Sequence, residues 1–211
     1  MSWIQRIGPA RGRETAREDP EEVGGGALRR AAPGVAALFD GLRDDGGHVV
    51  LDLGPAAPTH LSLYRRFARQ ICFADVLPHP PRGRALTRAL DELPLHPGQP
   101  YDVVLIWNIL DRIGPEERRV LLDRLTEITA STARMYAVVE ASDAATTRPL
   151  RFTLVDRSTV SQEPAGRTES AGHRLLPAEV ERLVAPWEVV RAFTLRVGLR
   201  EYVAVRSAAT G

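Results

Sequence analysis

Apolar runs alternate with segments of helical spacing along most of the chain. The segment that begins at Pro33 has apolar residues at positions i, i+3, i+4 and i+7, namely Val35, Leu38, Phe39 and Leu42. This spacing predicts a helix with one buried face. Residues 48–53, HVVLDL, form a nearly continuous apolar run, which is typical of a central strand of a parallel sheet.

The same alternation continues downstream. Helical spacing follows the first strand, at Leu61, Tyr64, Phe67 and Ile71, and residues 71–75, ICFAD, form a second buried strand by their composition. Residues 101–110 predict a strong strand, 115–128 a helix that begins at a proline, and 134–141 another strand. A short alternating piece, RFTLVD at 151–156, lies between two polar stretches, and a helix is predicted at 177–185.

The last two apolar runs, 187–195 and 200–206, are joined by a tight turn around Gly198. Runs joined so briefly must pair as an antiparallel hairpin. The alternating β and α elements before them imply a mostly parallel sheet with helices on both faces. The predicted fold class is therefore a Rossmann-like α/β sheet with a C-terminal antiparallel hairpin. The predicted boundaries are a flexible N-terminal tail over 1–26 and a single α/β domain over 27–208.

Composition excludes several kinds of chemistry. All 28 basic residues are arginine, and a chain without lysine can form neither a Schiff base nor a lysine-containing phosphate loop. The net charge of +1 gives no signal for nucleic acid. Cys72 is the single cysteine, so no internal disulfide can form and a cytoplasmic location is expected. No apolar run approaches the ~18 residues of a membrane span, and the N-terminal stretch lacks the apolar core of a signal peptide.

Several segments together resemble the class I S-adenosylmethionine-dependent methyltransferases. They are VLDLGPA, the acid in FAD, DELP, YDVVLIWNIL and the final GLREYVAVR hairpin, and the resemblance covers about 35–206. That family has a seven-stranded sheet in the order 3-2-1-4-5-7-6, with strand 7 antiparallel. The resemblance makes 48–53 strand 1, 71–75 strand 2, 101–107 strand 4, 134–141 strand 5, and the last two runs strands 6 and 7. Strand 3 is expected within 85–90.

The turn at 52–58, DLGPAAP, is where the resemblance implies the methionine end of S-adenosylmethionine. The family's motif is acid-x-Gly-x-Gly-x-Gly, and Asp52 and Gly54 match its first two fixed positions. Ala56 replaces the second glycine and Pro58 the third. Pro58 removes an N–H and adds a ring where the cofactor approaches. Two interpretations follow: a site that retains the cofactor, and a degenerate site that has lost it.

Four further residues are candidate ligand contacts. Asp75 follows the second strand about 20 residues after the turn, where a carboxylate can accept hydrogen bonds from both ribose hydroxyls, of S-adenosylmethionine or of NAD. The resemblance implies that Asp91 of DELP accepts from the adenine amino group; exposure in a loop is the alternative. Trp107 and Asn108 end the fourth strand, where an indole can contact the sulfonium or the substrate and an amide can orient the acceptor. Trp107 as an ordinary core residue is the alternative.

The histidines do not have the spacing of a metal site, so no metal is predicted. His60, beside the proposed turn, and His173 are candidate general bases by their ordinary pKa, and the catalytic group is otherwise unassigned.

The leading functional hypothesis is methyl transfer from S-adenosylmethionine to an unidentified acceptor, expected to be a small molecule. The alternative is a non-catalytic protein of the same fold that has lost the cofactor and serves as a binding or scaffold protein. An NAD-dependent oxidoreductase is disfavoured, because Gly-x-Gly-x-x-Gly is missing and the terminal hairpin is unusual for that class. The oligomeric state has no signature in the sequence.

Overall fold

The computed structural model describes residues 14–15, 21–23, 27–75, 88–89, 91–93, 99–141, 150–164 and 175–207. In chain order its strands are β1 (Glu14–Thr15), β2 (Glu21–Val23), β3 (Ala27–Ala31), β4 (His48–Asp52), β5 (Ala68–Phe73), β6 (Tyr101–Trp107), β7 (Thr129–Glu140), β8 (Leu150–Leu154), β9 (Thr159–Pro164), β10 (Trp187–Thr194) and β11 (Leu199–Arg206). Its helices are α1 (Pro33–Phe39), α2 (Pro58–Tyr64), α3 (Ile109–Arg112), α4 (Pro115–Ile128) and α5 (Pro177–Leu183).

The main sheet has the strand order β1-β10-β11-β7-β6-β4-β5. Strands β5, β4, β6 and β7 are parallel neighbours, and β11 is antiparallel to both β7 and β10. The central strands are buried on both faces, as their apolar composition predicts. Gly198 has a φ of +75° in the turn between β10 and β11, a backbone conformation that favours glycine. The sheet confirms the predicted fold class, including the C-terminal hairpin.

The prediction of a strand within 85–90 is wrong for Arg88 and Ala89, the two residues of this range that the structure describes. Arg88 and Ala89 are helical, and the Glu92 N–H donates to the Arg88 carbonyl at 2.9 Å. The Arg88 guanidinium also pairs with the Glu92 carboxylate at 2.8 Å, and such i,i+4 pairs stabilise helices. Within the described ranges, no strand pairs with the outer edge of β5. The main sheet therefore contains six of the seven expected strands, in the order 2-1-4-5-7-6, and adds β1 at the opposite edge.

The second strand begins earlier than its apolar run suggests. Helix α2 ends at Tyr64, and β5 begins at Ala68. Phe67 and Ile71, which continue the helical spacing of the sequence, lie in the turn and in the strand. Parallel pairing of Gln70–Phe73 with β4 overrides the helical pattern. By contrast, α1 and α4 begin at Pro33 and Pro115 as predicted.

The structure also contains a second sheet, in the order β2-β3-β9-β8, which the sequence does not predict. The alternating piece RFTLVD contains most of β8, and β9 includes the start of the polar stretch interpreted as loop. The tail predicted over 1–26 contributes β1 to the main sheet and β2 to the second. The predicted boundary between tail and domain remains a prediction.

A buried ion pair joins the two sheets. The Arg30 guanidinium of β3 donates to Glu201 of β11 at 2.6 Å, and both side chains are at most 3% exposed. Arg30 also donates to Gln162 of β9 at 2.9 Å. The Glu201 carboxylate accepts from the Tyr136 hydroxyl at 3.0 Å and from the Gly34 N–H at 2.7 Å. Because each charge has partners on the other sheet, the second sheet is fixed against the main sheet.

Candidate functional site

The carboxyl ends of β4 and β6 carry two wholly buried side chains. Asp52 ends β4 and Trp107 ends β6, and both have a relative exposure of 0%. In open α/β sheets, ligands bind outside the carboxyl ends of the strands. The two residues therefore lie where the sequence places the cofactor crevice, and their contacts determine what the crevice can hold.

The Asp52 carboxylate is surrounded by donors from the protein itself. Its Oδ1 accepts from the Gly54 N–H at 2.9 Å and from the Trp107 indole N–H at 2.6 Å. Its Oδ2 accepts from the Tyr64 hydroxyl at 2.6 Å and lies 3.1 Å from His60 Nδ1. Burial, followed by the nearby Asp52 charge, raises the pKa of Tyr64 well above its usual range. Tyr64 therefore remains protonated and can donate at neutral pH.

His60 has both ring nitrogens facing protein atoms. The Leu154 backbone N–H donates to His60 Nε2 at 2.7 Å. A nitrogen that accepts from an amide carries no hydrogen, and the other ring nitrogen, Nδ1, lies 3.1 Å from Asp52 Oδ2 without forming a hydrogen bond. The side chain is 0% exposed. The arrangement orients His60 as a fixed structural group, and the sequence-based hypothesis of a general base gains no support from it.

The Trp107 indole is stacked inside a column of rings. His60 lies on it with centroids 5.9 Å apart and planes at 22°, and Phe152 of β8 stacks with it at 6.0 Å and 4°. Phe73 extends the column by stacking on His60 at 6.2 Å. Tyr136 approaches the indole edge-on at 5.6 Å. These separations are those of favourable aromatic pairs, so the rings at the carboxyl ends of β4 and β6 form one packed, buried group.

The turn after β4 has a buried part and an exposed part. Gly54 is buried, and a Cβ at this position would lie 2.6 Å from Trp107 Nε1 and 2.9 Å from Trp107 Cδ1. Ala56 and Pro58 are exposed, and Pro58 is the first residue of α2. Gly54 is therefore required by the indole, whereas Ala56 and Pro58 face no such constraint.

The two candidate acids outside the turn are exposed. Asp75 follows the end of β5, and the Ala74 N–H donates to the Asp52 carbonyl at 2.9 Å, which keeps this end of the chain beside β4. Asp91 lies in the helical turn after Arg88, and its carboxylate is 3.9 Å from Arg124 on α4. Asp75 is thus at the strand end where the sequence predicts a ribose contact, while Asp91 has a cationic neighbour of its own.

Asn108 and Asp111 lie at the start of α3, next to the end of β7. Asn108 is 3% exposed and donates to the Leu150 carbonyl of β8 at 3.2 Å. Asp111 is 6% exposed and accepts from the Glu140 N–H at 2.9 Å. Burial raises the pKa of Asp111 to about 8, and the Glu140 charge adds to the increase. Both side chains are used to attach β8 and α3 to the main sheet.

Three of the seven predicted contact residues, Asp52, Gly54 and Trp107, therefore come together in one buried cluster, and a fourth, Asn108, is buried next to Trp107 in the chain and bonds to β8. Ala56, Asp75 and Asp91 lie at the surface. The cluster also contains Tyr64, Phe152 and Leu154, which sequence reasoning missed as site residues. The alternation of Phe152 and Leu154 in RFTLVD was the available signal for the last two, because period-2 apolar residues share one face of a strand. His173 lies outside the described residues.

The described part of the surface also has a groove away from this cluster. A groove of about 470 Å³ lies between α1 and the β8–β9 turn, and none of the seven predicted residues lines it. Among the residues described, no three His, Cys, Asp or Glu side chains lie together as a metal site. In the same part of the chain, no helix is long and apolar enough to cross a membrane.

The strand order 2-1-4-5-7-6, with parallel β5, β4, β6 and β7 and an antiparallel β11, decides the fold. The fold is that of the class I methyltransferases. No protein-family model matches the sequence, and no curated protein matches it. Solved structures with a similar fold include the pyocyanin biosynthetic protein PhzM, at 16% identity and a TM-score of 0.48, with 82% of this chain and 54% of that chain covered.

Two further similar structures are named as methyltransferases. One is the Burkholderia thailandensis 1,6-didemethyltoxoflavin-N1-methyltransferase with bound S-adenosylhomocysteine, at 16% identity, a TM-score of 0.45, and coverage of 83% and 77%. The other is a putative S-adenosylmethionine-dependent methyltransferase from Listeria monocytogenes, at 14% identity, a TM-score of 0.48, and coverage of 83% and 99%. The sequence identities and the TM-scores of these structures are low. The methyltransferase fold of this chain therefore rests on the order and the directions of its own strands.

Proposed function

We propose that this chain is a methyltransferase-fold protein that does not transfer methyl groups and that serves as a binding or scaffold protein. One observation carries the proposal: Asp52 and Gly54, the two matching residues of the cofactor motif, both contact the buried Trp107 indole. The crevice at the strand ends is thus filled by the chain's own rings.

The contacts of Asp52 and Gly54 argue against S-adenosylmethionine at this turn in the present arrangement. A Cβ at Gly54 would lie 2.6 Å from Trp107 Nε1, so a ligand cannot contact this side of the glycine while the indole is in place. A ligand amine also needs a carboxylate with free acceptor capacity. Asp52 Oδ1 already accepts from two protein donors and Oδ2 from one, at 2.6–2.9 Å. Binding would require these contacts to break in a fully buried site, where an unpaired polar group is costly.

The way in which the motif departs from the family pattern supports the same proposal. Asp52 and Gly54 have internal partners that explain their presence without a ligand. Ala56 and Pro58 replace glycines at exposed positions, where the protein itself sets no requirement for a missing side chain. Asp52 and Gly54, which match the family motif, are the residues that contact the indole. Ala56 and Pro58, which differ from the motif, lie where only a bound ligand would require a glycine.

The second candidate is methyl transfer from S-adenosylmethionine to a small-molecule acceptor. The fold and the exposed Asp75 at the end of β5 favour it, since this is where a carboxylate can accept from both ribose hydroxyls. This candidate requires Trp107 to leave its place between His60 and Phe152.

Calorimetry with S-adenosylmethionine, S-adenosylhomocysteine and NAD separates the candidates. We expect no binding heat and no shift of the melting temperature with any of the three at millimolar concentration, whereas a ligand at 100 times its Kd would stabilise the protein by about 2.7 kcal/mol. Binding of the first two ligands overturns the proposal and favours the methyltransferase. In that case Asp75→Ala should weaken both by about ten- to a hundredfold, and Pro58→Gly should bind at least as well as the parent. Binding of NAD alone contradicts both candidates.

A further inference from the structure

We infer that the Trp107 side chain is an intramolecular ligand, and that the pocket around it is a binding site for a planar aromatic ring with an N–H donor. Asp52, Gly54, His60 and Phe152 form this pocket. The inference rests on the proposed function, in which the crevice is filled from within, and it adds the chemical class of ligand that the crevice recognises.

The two faces of the ring are recognised by stacking. His60 and Phe152 lie on the indole at 5.9 and 6.0 Å, with interplanar angles of 22° and 4°. Two near-parallel walls select a flat ring and exclude a tetrahedral or branched group, because aromatic faces gain most from offset stacking at 4.5–7 Å.

The edge of the ring is recognised by a hydrogen bond to a carboxylate. The indole Nε1–H donates to Asp52 Oδ1 at 2.6 Å. Hydrogen bonds to ionised acceptors are short and about twice as strong as those between neutral groups. Gly54 lies against the same edge of the indole, where any side chain would collide with Nε1. The pocket therefore distinguishes a ring that donates from one that does not.

The Asp52 and His60 sides of the pocket are held by contacts that do not involve Trp107, and the guanidinium of Arg30 lies 5.7 Å from the Phe152 ring. The Gly54 N–H and the Tyr64 hydroxyl donate to Asp52 at 2.9 and 2.6 Å, and the Leu154 N–H holds the His60 ring at 2.7 Å. These contacts remain when the indole is removed. The site should therefore keep its shape when the side chain at position 107 is deleted.

The backbone at position 107 favours such a deletion. Trp107 has a φ of +48°, in the left-handed region where side chains other than glycine are strained. Glycine adopts this conformation without strain, so Trp107→Gly removes the ring and the strain together. The resulting cavity has the size and shape of the lost indole, with ring walls and the Asp52 carboxylate at its edge, and buried cavities of this size bind small rings.

The test is chemical rescue of Trp107→Gly with indole, with 1-methylindole as the matched ligand without an N–H. We expect indole to bind the variant in calorimetry and to raise its melting temperature, and 1-methylindole to bind about tenfold to a hundredfold more weakly. The parent should bind neither. A folded variant that binds no indole, or that binds both rings equally, overturns the inference.

If Trp107→Gly does not fold even with indole, Trp107→Phe tests the same hydrogen bond, because it keeps a ring and loses the donor. In a double-mutant cycle with Asp52→Asn, the unfolding constants should deviate from additivity by at least tenfold, and additivity overturns the inference. These outcomes are separate from the proposed function, which fails only if a cofactor binds the parent.

Discussion

Gly54→Ala should destabilise the protein even though no ligand is involved. The added Cβ would lie 2.6 Å from Trp107 Nε1 and 2.9 Å from its Cδ1, closer than non-bonded carbon contacts allow. The indole cannot move freely, because it is 0% exposed and stacked between His60 and Phe152. A new methyl group in such a place acts as overpacking, which typically costs about 1–3 kcal/mol.

Two further contributions fix the expected size of the effect. Displacing the indole weakens its 2.6 Å hydrogen bond to Asp52, and a hydrogen bond to a charged group is worth about 1.5–3 kcal/mol. Alanine restricts the unfolded chain more than glycine, and this offsets the loss by about 0.4–1 kcal/mol. The net loss in the free energy of unfolding is about 1.5–5.5 kcal/mol. For a chain of this size, that corresponds to a decrease in melting temperature of about 3–22 °C.

Urea and thermal unfolding measure the change, with Ala56→Ser as the control at an exposed position of the same turn. We expect the control to stay within about 0.5 kcal/mol of the parent. Gly54→Ala should cost much less in a Trp107→Phe background, where Nε1 is absent. If Gly54→Ala is as stable as the parent, or costs the same in both backgrounds, then the glycine is not there for the indole. A glycine kept only for a ligand would show that behaviour.

The stability of the parent should fall as the pH rises from about 5 to 8, with a slope of up to about 1.4 kcal/mol per pH unit from Asp111. The pKa of its carboxyl is raised to about 8 in the folded state against 3.8 in the unfolded chain, so unfolding releases a proton in this range. Asp111→Asn should remove that slope in urea titrations at several pH values; an unchanged slope contradicts the assignment. Tyr64→Phe should lower the free energy of unfolding by about 1.5–3 kcal/mol, because Asp52 loses its hydroxyl donor, and a loss under 0.5 kcal/mol would show that the bond contributes little. Arg30→Met should cost about 3–5 kcal/mol by leaving Glu201 buried without its cation. The double variant with Glu201→Gln should recover part of this, and full additivity would refute the pairing.

The main sheet could be predicted because each of its central strands is marked by a continuous run of apolar residues. Strands β4, β6 and β7 and the hairpin of β10 with β11 each have a run of apolar residues, and α4 has both a proline start and an apolar face. The second sheet could not be predicted in this way. Its strand β9 buries Gln162, a polar residue that satisfies its side chain with Arg30, 132 positions away in the sequence. A polar residue buried by a distant partner interrupts the apolar pattern that marks a strand.

The residues of the candidate site show the same difference between local and long-range signals. Asp52, Gly54 and Trp107 were identified from segments of known spacing, and the structure brings them into direct contact. Their partners Phe152 and Leu154 come from β8, far along the chain; the alternation in RFTLVD marks a strand, but it does not indicate that this strand contacts Trp107 and His60. The sequence therefore identified the residues at the strand ends, but the contacts that decide their role depend on long-range packing.

Phe152 connects the two buried polar clusters of the molecule. It stacks on Trp107, whose indole donates to Asp52, and its ring lies 5.7 Å from the guanidinium of Arg30, the partner of Glu201. The second sheet cannot move away from the crevice without disturbing the ring column and the neighbourhood of the ion pair together. Each cluster would then leave buried donors or charges without partners, which costs far more than exposing an apolar surface of the same size. The contacts that bury Trp107 at the carboxyl ends of β4 and β6 therefore also hold the two sheets together.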